Sequence, residues 1–187
     1  MRDAVTEVAQ AHPDRRIEVW FMDEARVGQK GRTGHRWWLR GERPRGLCDR
    51  RFESTYIFGA VRPATGDGLA LVLPTVSTET MQIFLDEFAA RLAADAQAVL
   101  VLDGAGWHAS SDLVVPDRVS LVMLPPYAPE LNPVERVWLY LRERFLSHCV
   151  FATYDDIVQA CADAWCALTP DTLRSLTAYP WLKEISS

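Results

Sequence analysis

At 187 residues the chain has the length of roughly one domain of about 150 residues, with a core large enough to fold without disulfide or metal staples. Its 49% hydrophobic and 24% charged residues, with 10 Gly and 11 Pro, sit near the average for a globular domain and exclude wholesale disorder. The formal net charge of -5 argues against a general nucleic-acid coat, yet residues 26–51 carry a balance of +7, which leaves -12 for the rest.

Residues 17–22 (IEVWFM) are rich in β-branched and aromatic side chains, apolar on both parities except at Glu18, and predict a first strand buried on both faces. The basic stretch that follows is punctuated by Gly28, Gly31, Gly34, Gly41 and Gly46, so it reads as an exposed loop or hairpin in which only 35–39 has strand character. Residues 54–61 and 68–73 predict two antiparallel strands joined by a turn-rich linker. From Ser77 the period changes. Met81, Phe84, Leu85, Phe88 and Leu92 recur every three or four residues, which predicts an amphipathic helix ending near Asp95. Residues 98–102 and 119–124 predict two further buried strands, and a helix capped by Ser110 or Ser111 is expected between them. Leu131, Val134, Trp138, Leu141 and Phe145 line one face of a helix running to about Ser147. Thr153 with Asp156 forms a capping box for another helix, and Thr169-Pro170 opens a last short one. Three leading strands followed by alternating helices and strands predict a mixed α/β sheet with helices on its faces.

The apolar runs at 69–73 and 99–102 fall far short of the ~18 residues that span a bilayer, and the N-terminus lacks the layout of a secretory signal. A cytoplasmic protein is expected. Cys48, Cys149, Cys161 and Cys166 contain no Cys-x-x-Cys pair and, with His148, match no common zinc spacing, so reduced core thiols are the expectation.

Two aspartates stand where chemistry gathers in α/β sheets, at the carboxyl ends of strands. Asp23 follows the first strand and Asp103 the fourth, and Glu135 falls in the first turn of the helix after the fifth. If the two strands are parallel neighbours, all three carboxylates open onto one crevice. Hard oxygen donors on three separate elements suit Mg2+, which keeps several waters and accepts phosphate oxygens. Each acid also has a structural reading. A polar residue can simply end a strand, and Asn132, Pro133 and Glu135 make a good helix cap.

The strings FMDEARVG, VLDGAGWH and LPPYAPELNPVERVW resemble the three signature blocks of DDE transposases of the mariner superfamily, in its bacterial insertion-sequence branch. The last block is the most specific, since Pro125, Pro126, Tyr127, Pro129, Leu131, Asn132, Pro133, Glu135 and Trp138 match together. The resemblance implies a ribonuclease H-like fold with a mixed five-stranded sheet and helices on both faces. It divides the chain into a lead-in at 1–16, a catalytic domain at 17–150 and a helical extension of the same domain at 151–187. It further implies cut-and-paste transposition at TA dinucleotides, with Asp23, Asp103 and Glu135 holding two Mg2+ ions for which Mn2+ substitutes. Glu24 follows Asp23 as in the family and is a possible substitute ligand, and His108 and Asn132 are possible supporting residues. Gly104 departs from the Asn common after the second aspartate.

Two ions ~3.5–4 Å apart activate water and stabilise the leaving 3′-oxygen, so no Ser or Tyr nucleophile is needed. Asp23 is then expected to bridge the ions, with Asp103 and Glu135 holding one each. Arg26, Lys30, Arg32, Arg36, Trp37, Trp38 and Arg40 are the expected DNA contacts, and Trp138 and Trp165 the expected core. Only about sixteen residues precede the first strand, too few for the helix-turn-helix reader of transposon ends that relatives carry. A separate polypeptide supplying it, with a homodimer assembled on DNA, is one expectation. A truncated, catalytically silent remnant that binds DNA or a partner is another, and a different ribonuclease H-like nuclease a third.

Overall fold

The computed structural model describes residues 1–29, 39–42, 51–108, 110–126, 128–147 and 149–184. In chain order its elements are α1 (Arg2–Ala11), β1 (Arg16–Gly28), β2 (Ser54–Arg62), β3 (Asp67–Leu73), α2 (Thr78–Arg91), β4 (Ala96–Leu102), β5 (Val119–Met123), α3 (Val134–Leu141), α4 (Tyr154–Cys166) and α5 (Pro170–Leu176). One sheet in the order β3-β2-β1-β4-β5 holds all five strands. The first three pair antiparallel, and β4 and β5 lie parallel to β1. The expected mixed five-stranded sheet is therefore present.

Strand alternation divides the core in two. Phe21, Ile57, Val61, Val99 and Val101 point to one face, where they meet Val137 and Trp138 of α3, Ile157 and Cys161 of α4, Leu173 of α5 and Val5 of α1. Trp20, Met22, Phe58, Leu100 and Leu102 point to the other, against Met81, Phe84, Leu85 and Phe88 of α2. β4 is buried along its whole length, as its unbroken apolar run requires. The one polar residue of the first predicted strand, Glu18, is 5% exposed and is satisfied by Arg16, by Arg62 at 3.1 Å and by the Trp20 indole at 3.1 Å. Burial pushes the Cys161 thiol up to about 12, the behaviour of an inert core cysteine.

Three expectations need correction. The first strand does not stop at Met22 but runs to Gly28, because β2 pairs with it as far as Gly28 whereas β4 leaves at Phe21. Between β4 and β5 the described residues form turns and no helix. Past Ser110 and Ser111, where the helix is expected, the Gln82 side chain instead holds the amide and the carbonyl of Val114 at 2.8 and 2.9 Å, and Pro116 disfavours helical backbone just before it. The helix opening at Val134 is α-helical only to Leu141, after which residues Arg142–Leu146 form a wider π turn. The caps expected at Thr153 and Thr169 are present, Thr153 in a reciprocal box with Asp156, and Ser77, not expected as a cap, forms a second such box with Thr80. Among the described residues no helix follows Ser110 or Ser111, and Glu135 makes no cap hydrogen bond at the start of α3. Residues 2–11, for which no element was expected, form α1. Of the expected strand at 35–39 only Leu39 is described, and it is not in a strand.

Candidate functional site

The sheet register builds the site. The last parallel pair between β1 and β4 is Phe21 with Val101, and past it β1 has lost its neighbour on that side. Asp23 stands two residues beyond the pair on β1, and Asp103 two residues beyond it, just past the end of β4. By strand parity Asp23 belongs to the face that α3 covers, the face of Phe21. The backbone acceptor exposed where β4 departs is not left empty. Asn132 donates its side-chain amide to the Met22 carbonyl at 3.0 Å and accepts from the Val134 amide at 3.2 Å. One buried side chain thus pins the start of α3 to β1 and places Glu135 in the first helical turn beside the aspartates.

Asp23, Asp103, Asn132 and Glu135 line one cavity of about 480 Å³, walled by the prolines 125, 126 and 129. The crevice expected from the sequence therefore exists, although Asp23 lies within a strand and not after it. On the far side of Asp23 and Glu135 a second cavity of about 470 Å³ runs along β1 to Gly28, under Trp138, Leu141, Arg142 and Leu146.

Asp23 is the most perturbed carboxyl of the site. Burial raises its pKa most, the charge of Glu135 adds to the rise, and the Trp138 indole, donating to Oδ2 at 2.8 Å, opposes it; the balance stands at about 7. Two carboxyls meeting in a half-buried crevice oppose each other's ionisation, so one of them holds its proton more tightly. Trp138 was expected to be core alone, and it is buried, but its N–H also holds Asp23. The helical stripe could not reveal that second role, since periodicity reports which face a residue occupies and not what its polar atom meets. Gly59 makes it possible. It is the cross-strand partner of Asp23, and a Cβ there would lie 2.5 Å from the Trp138 ring.

Glu24, next along β1, points to the opposite face and is nearly buried, with 7% of its side chain exposed. It accepts from the Trp107 indole at 3.2 Å and from His108 Nε2 at 2.8 Å. His108 Nδ1 lies 2.9 Å from the Asp103 carbonyl oxygen and 3.0 Å from Asp103 Oδ1. Burial works against a charge on His108, but the Glu24 carboxylate and Asp103 outweigh it and hold its pKa above the ordinary value. Of the expected DNA contacts, Arg26 lines the second cavity and Arg40 sits on an exposed turn lining neither. Lys30, Arg32, Arg36, Trp37 and Trp38 lie outside the described residues. Arg142, which the sequence did not single out, lines the second cavity with Arg26.

Among the described residues no three His, Cys, Asp or Glu side chains close into a ready-made cluster. Hard carboxylates spread over three elements instead fit a cation that completes its shell with water and phosphate oxygens.

Residues 18–158 match the family model of the DDE superfamily endonuclease. Uncharacterized protein y4pE/y4sA of Sinorhizobium fredii (strain NBRC 101917 / NGR234) is 48% identical over 126 residues, which are 67% of this chain and 87% of that protein. Among solved structures, the Mos1 mariner paired end complex with Mn superposes with a TM-score of 0.68 at 12% identity, over 94% of this chain and 56% of that one. The catalytic domain of Mos1 mariner transposase gives 0.57 at 12% identity, over 94% of this chain and 84% of that one. These likenesses show a shared ribonuclease H-like fold, and the chain spans little more than half the length of the transposase in the paired end complex.

Proposed function

The chain belongs to the DDE superfamily of endonucleases, and on that footing we propose that it is the catalytic domain of a transposase that cuts and rejoins DNA with divalent metal ions. The observation that carries this reading is the convergence of Asp23, Asp103 and Glu135 on one cavity, with the Asp23 carboxyl pushed up to about 7 by burial and by Glu135. Mos1 complexes described with Mn and with Mg support the choice of metal. Asp23, Asp103 and Glu135 would hold two Mg2+ or Mn2+ ions, which when bound lower the pKa of water and stabilise a leaving 3′-oxygen.

The chain's own groups do the rest. Trp138 holds Asp23 Oδ2, so the carboxylate keeps one orientation as it gives up its proton. Asn132 fixes α3 against β1 and with it the placement of Glu135. Arg26 and Arg142 line the cavity on the other side of Asp23 and Glu135 and supply positive charge for the phosphates flanking the cut. Hydrolysis frees a 3′-hydroxyl, which then attacks target DNA in the same site, and no covalent protein intermediate is required. TA as the target, a bacterial insertion sequence as the source, a homodimer on DNA and a separate helix-turn-helix polypeptide for end recognition complete the proposal.

Nicking of supercoiled plasmid in Mg2+ or Mn2+ tests it, with Asp103→Ala and an EDTA control beside the wild type. Nicked circles from the wild type alone are expected. Cleavage by the variant at the wild-type rate would sink the assignment.

A further inference from the structure

Asp103 is poorly held by its own segment. It directly follows β4 with 58% of its side chain exposed, and Gly104 and Gly106 after it have no neighbour within 4 Å of where a Cβ would stand. Its Oδ1 accepts from the Ala105 amide at 3.1 Å and lies 3.0 Å from His108 Nδ1, whose hydrogen bond at 2.9 Å goes to the Asp103 carbonyl, so the ring holds both the backbone and the carboxylate of this residue, while among the described residues Oδ2 has no hydrogen-bond partner. His108 has no exposed side-chain surface. Its ring packs edge-on against Trp107 with centroids 5.7 Å apart, and its other nitrogen ends on Glu24. Glu24 is a buried carboxylate on the sheet face away from Asp23, fixed in turn by the Trp107 indole. A connected path therefore runs from the far face of β1, round the end of β4, to one oxygen of the carboxylate that opens the crevice.

The geometry points to a positioning clamp: Glu24, acting only through His108, fixes the rotamer of Asp103 so that Oδ2 is presented to the divalent ion, and it sets the metal affinity without touching metal. This rests on the reading of Asp103 as a metal ligand. It assigns Glu24 a part different from the substitute ligand that its place beside Asp23 suggests. Carboxylate ligands of metalloproteins are held by hydrogen bonds of this outer kind, and loss of such partners costs about 10–100-fold in affinity.

The test is Mn2+ binding to the whole chain, read as loss of the free-ion electron paramagnetic resonance signal, with thermal melting to confirm folding. Variants are Asp103→Ala, His108→Ala, His108→Gln, Glu24→Ala, Glu24→Gln and the double His108→Ala/Glu24→Ala. About tenfold weaker binding is expected for His108→Ala and for Glu24→Ala. The double variant should be no weaker than His108→Ala, since both remove one path. Glu24→Gln, which keeps an oxygen for the indole and imidazole donors, should recover part of the loss. If His108→Ala fails to fold, His108→Gln carries the comparison.

Additive losses, or a larger loss for Glu24→Ala than for His108→Ala, would show Glu24 to be a ligand and overturn the clamp. Unchanged affinity in folded His108 and Glu24 variants, with binding lost in Asp103→Ala, would overturn the clamp and leave the metal site standing. Unchanged affinity in Asp103→Ala itself would remove both.

Discussion

A carboxyl that keeps its proton up to pH about 7 weakens the fold around it once it ionises. Asp23 is in that position, through burial first and the neighbouring Glu135 second. The folded chain binds this proton more tightly than the unfolded chain does. The cost is therefore absent below the ordinary carboxyl value of 3.8, grows as pH rises toward 7 and is complete above it. At about 1.4 kcal/mol for each pH unit separating the two values, Asp23→Asn should stabilise the metal-free protein at pH 8 by on the order of 4 kcal/mol and do nothing at pH 3. Urea denaturation of both proteins at the two pH values checks this. Equal stability at pH 8 would mean that Asp23 is not strained in the free protein. The identities of Asp23, Asp103 and Glu135 were legible in the sequence from strand ends, a helix start and the signature strings. The contacts around them were not, since the Trp138 indole that holds Asp23 comes from 115 residues away along the chain and the Trp107 indole that holds the neighbouring Glu24 from 83.

At the scale of elements, the site depends on a strand register and one missing side chain. Asp23 faces Gly59 across β1 and β2, and the Trp138 ring of α3 lies where a Cβ at Gly59 would be, reaching over the strand to the carboxylate. Gly59→Ala should cost ~1–3 kcal/mol through overpacking. Because the displaced ring is the one that holds Asp23, it should also lower metal-dependent cleavage when assayed below its melting temperature. Trp165 packs on the same ring at 6.0 Å between centroids and has little room to yield. Normal cleavage by a destabilised Gly59→Ala would separate the packing of Trp138 from its hold on Asp23. Periodicity located the strands and the long helices well, because those elements bury an apolar face. It erred where backbone groups are satisfied by side chains. β1 continues past Met22 with β2 alone beside it, Asn132 supplies the bond that β4 no longer makes, and the Gln82 side chain takes up the Val114 backbone groups between β4 and β5. None of these leaves a period of two or 3.6 in the sequence.

At the scale of the molecule, an acidic chain with net charge -5 must meet a polyanion through a local reversal of sign. Arg26 begins the basic stretch, and with Arg142 it lines the cavity beyond Asp23 and Glu135. Their side chains have no carboxylate partner among the described residues, so their charge is available to phosphate. Binding of a duplex oligonucleotide in Ca2+ should weaken steeply with salt. Replacing both arginines by alanine should flatten the plot of log affinity against log salt by about 1.8, near 0.9 for each phosphate no longer neutralised. An unchanged slope in fluorescence anisotropy would place the phosphate-binding groups elsewhere.

The three carboxylates are claimed to form one metal-dependent cutting site, and the rate of plasmid nicking in Mg2+ by Asp23→Asn, Asp103→Asn, Glu135→Gln and the triple variant measures that most directly. Residues that act as a unit lose nearly everything together. Each single variant should fall to the background seen in EDTA, with the triple no lower. A single variant that still nicks at the wild-type rate, or losses that multiply from single to triple, would contradict a shared site.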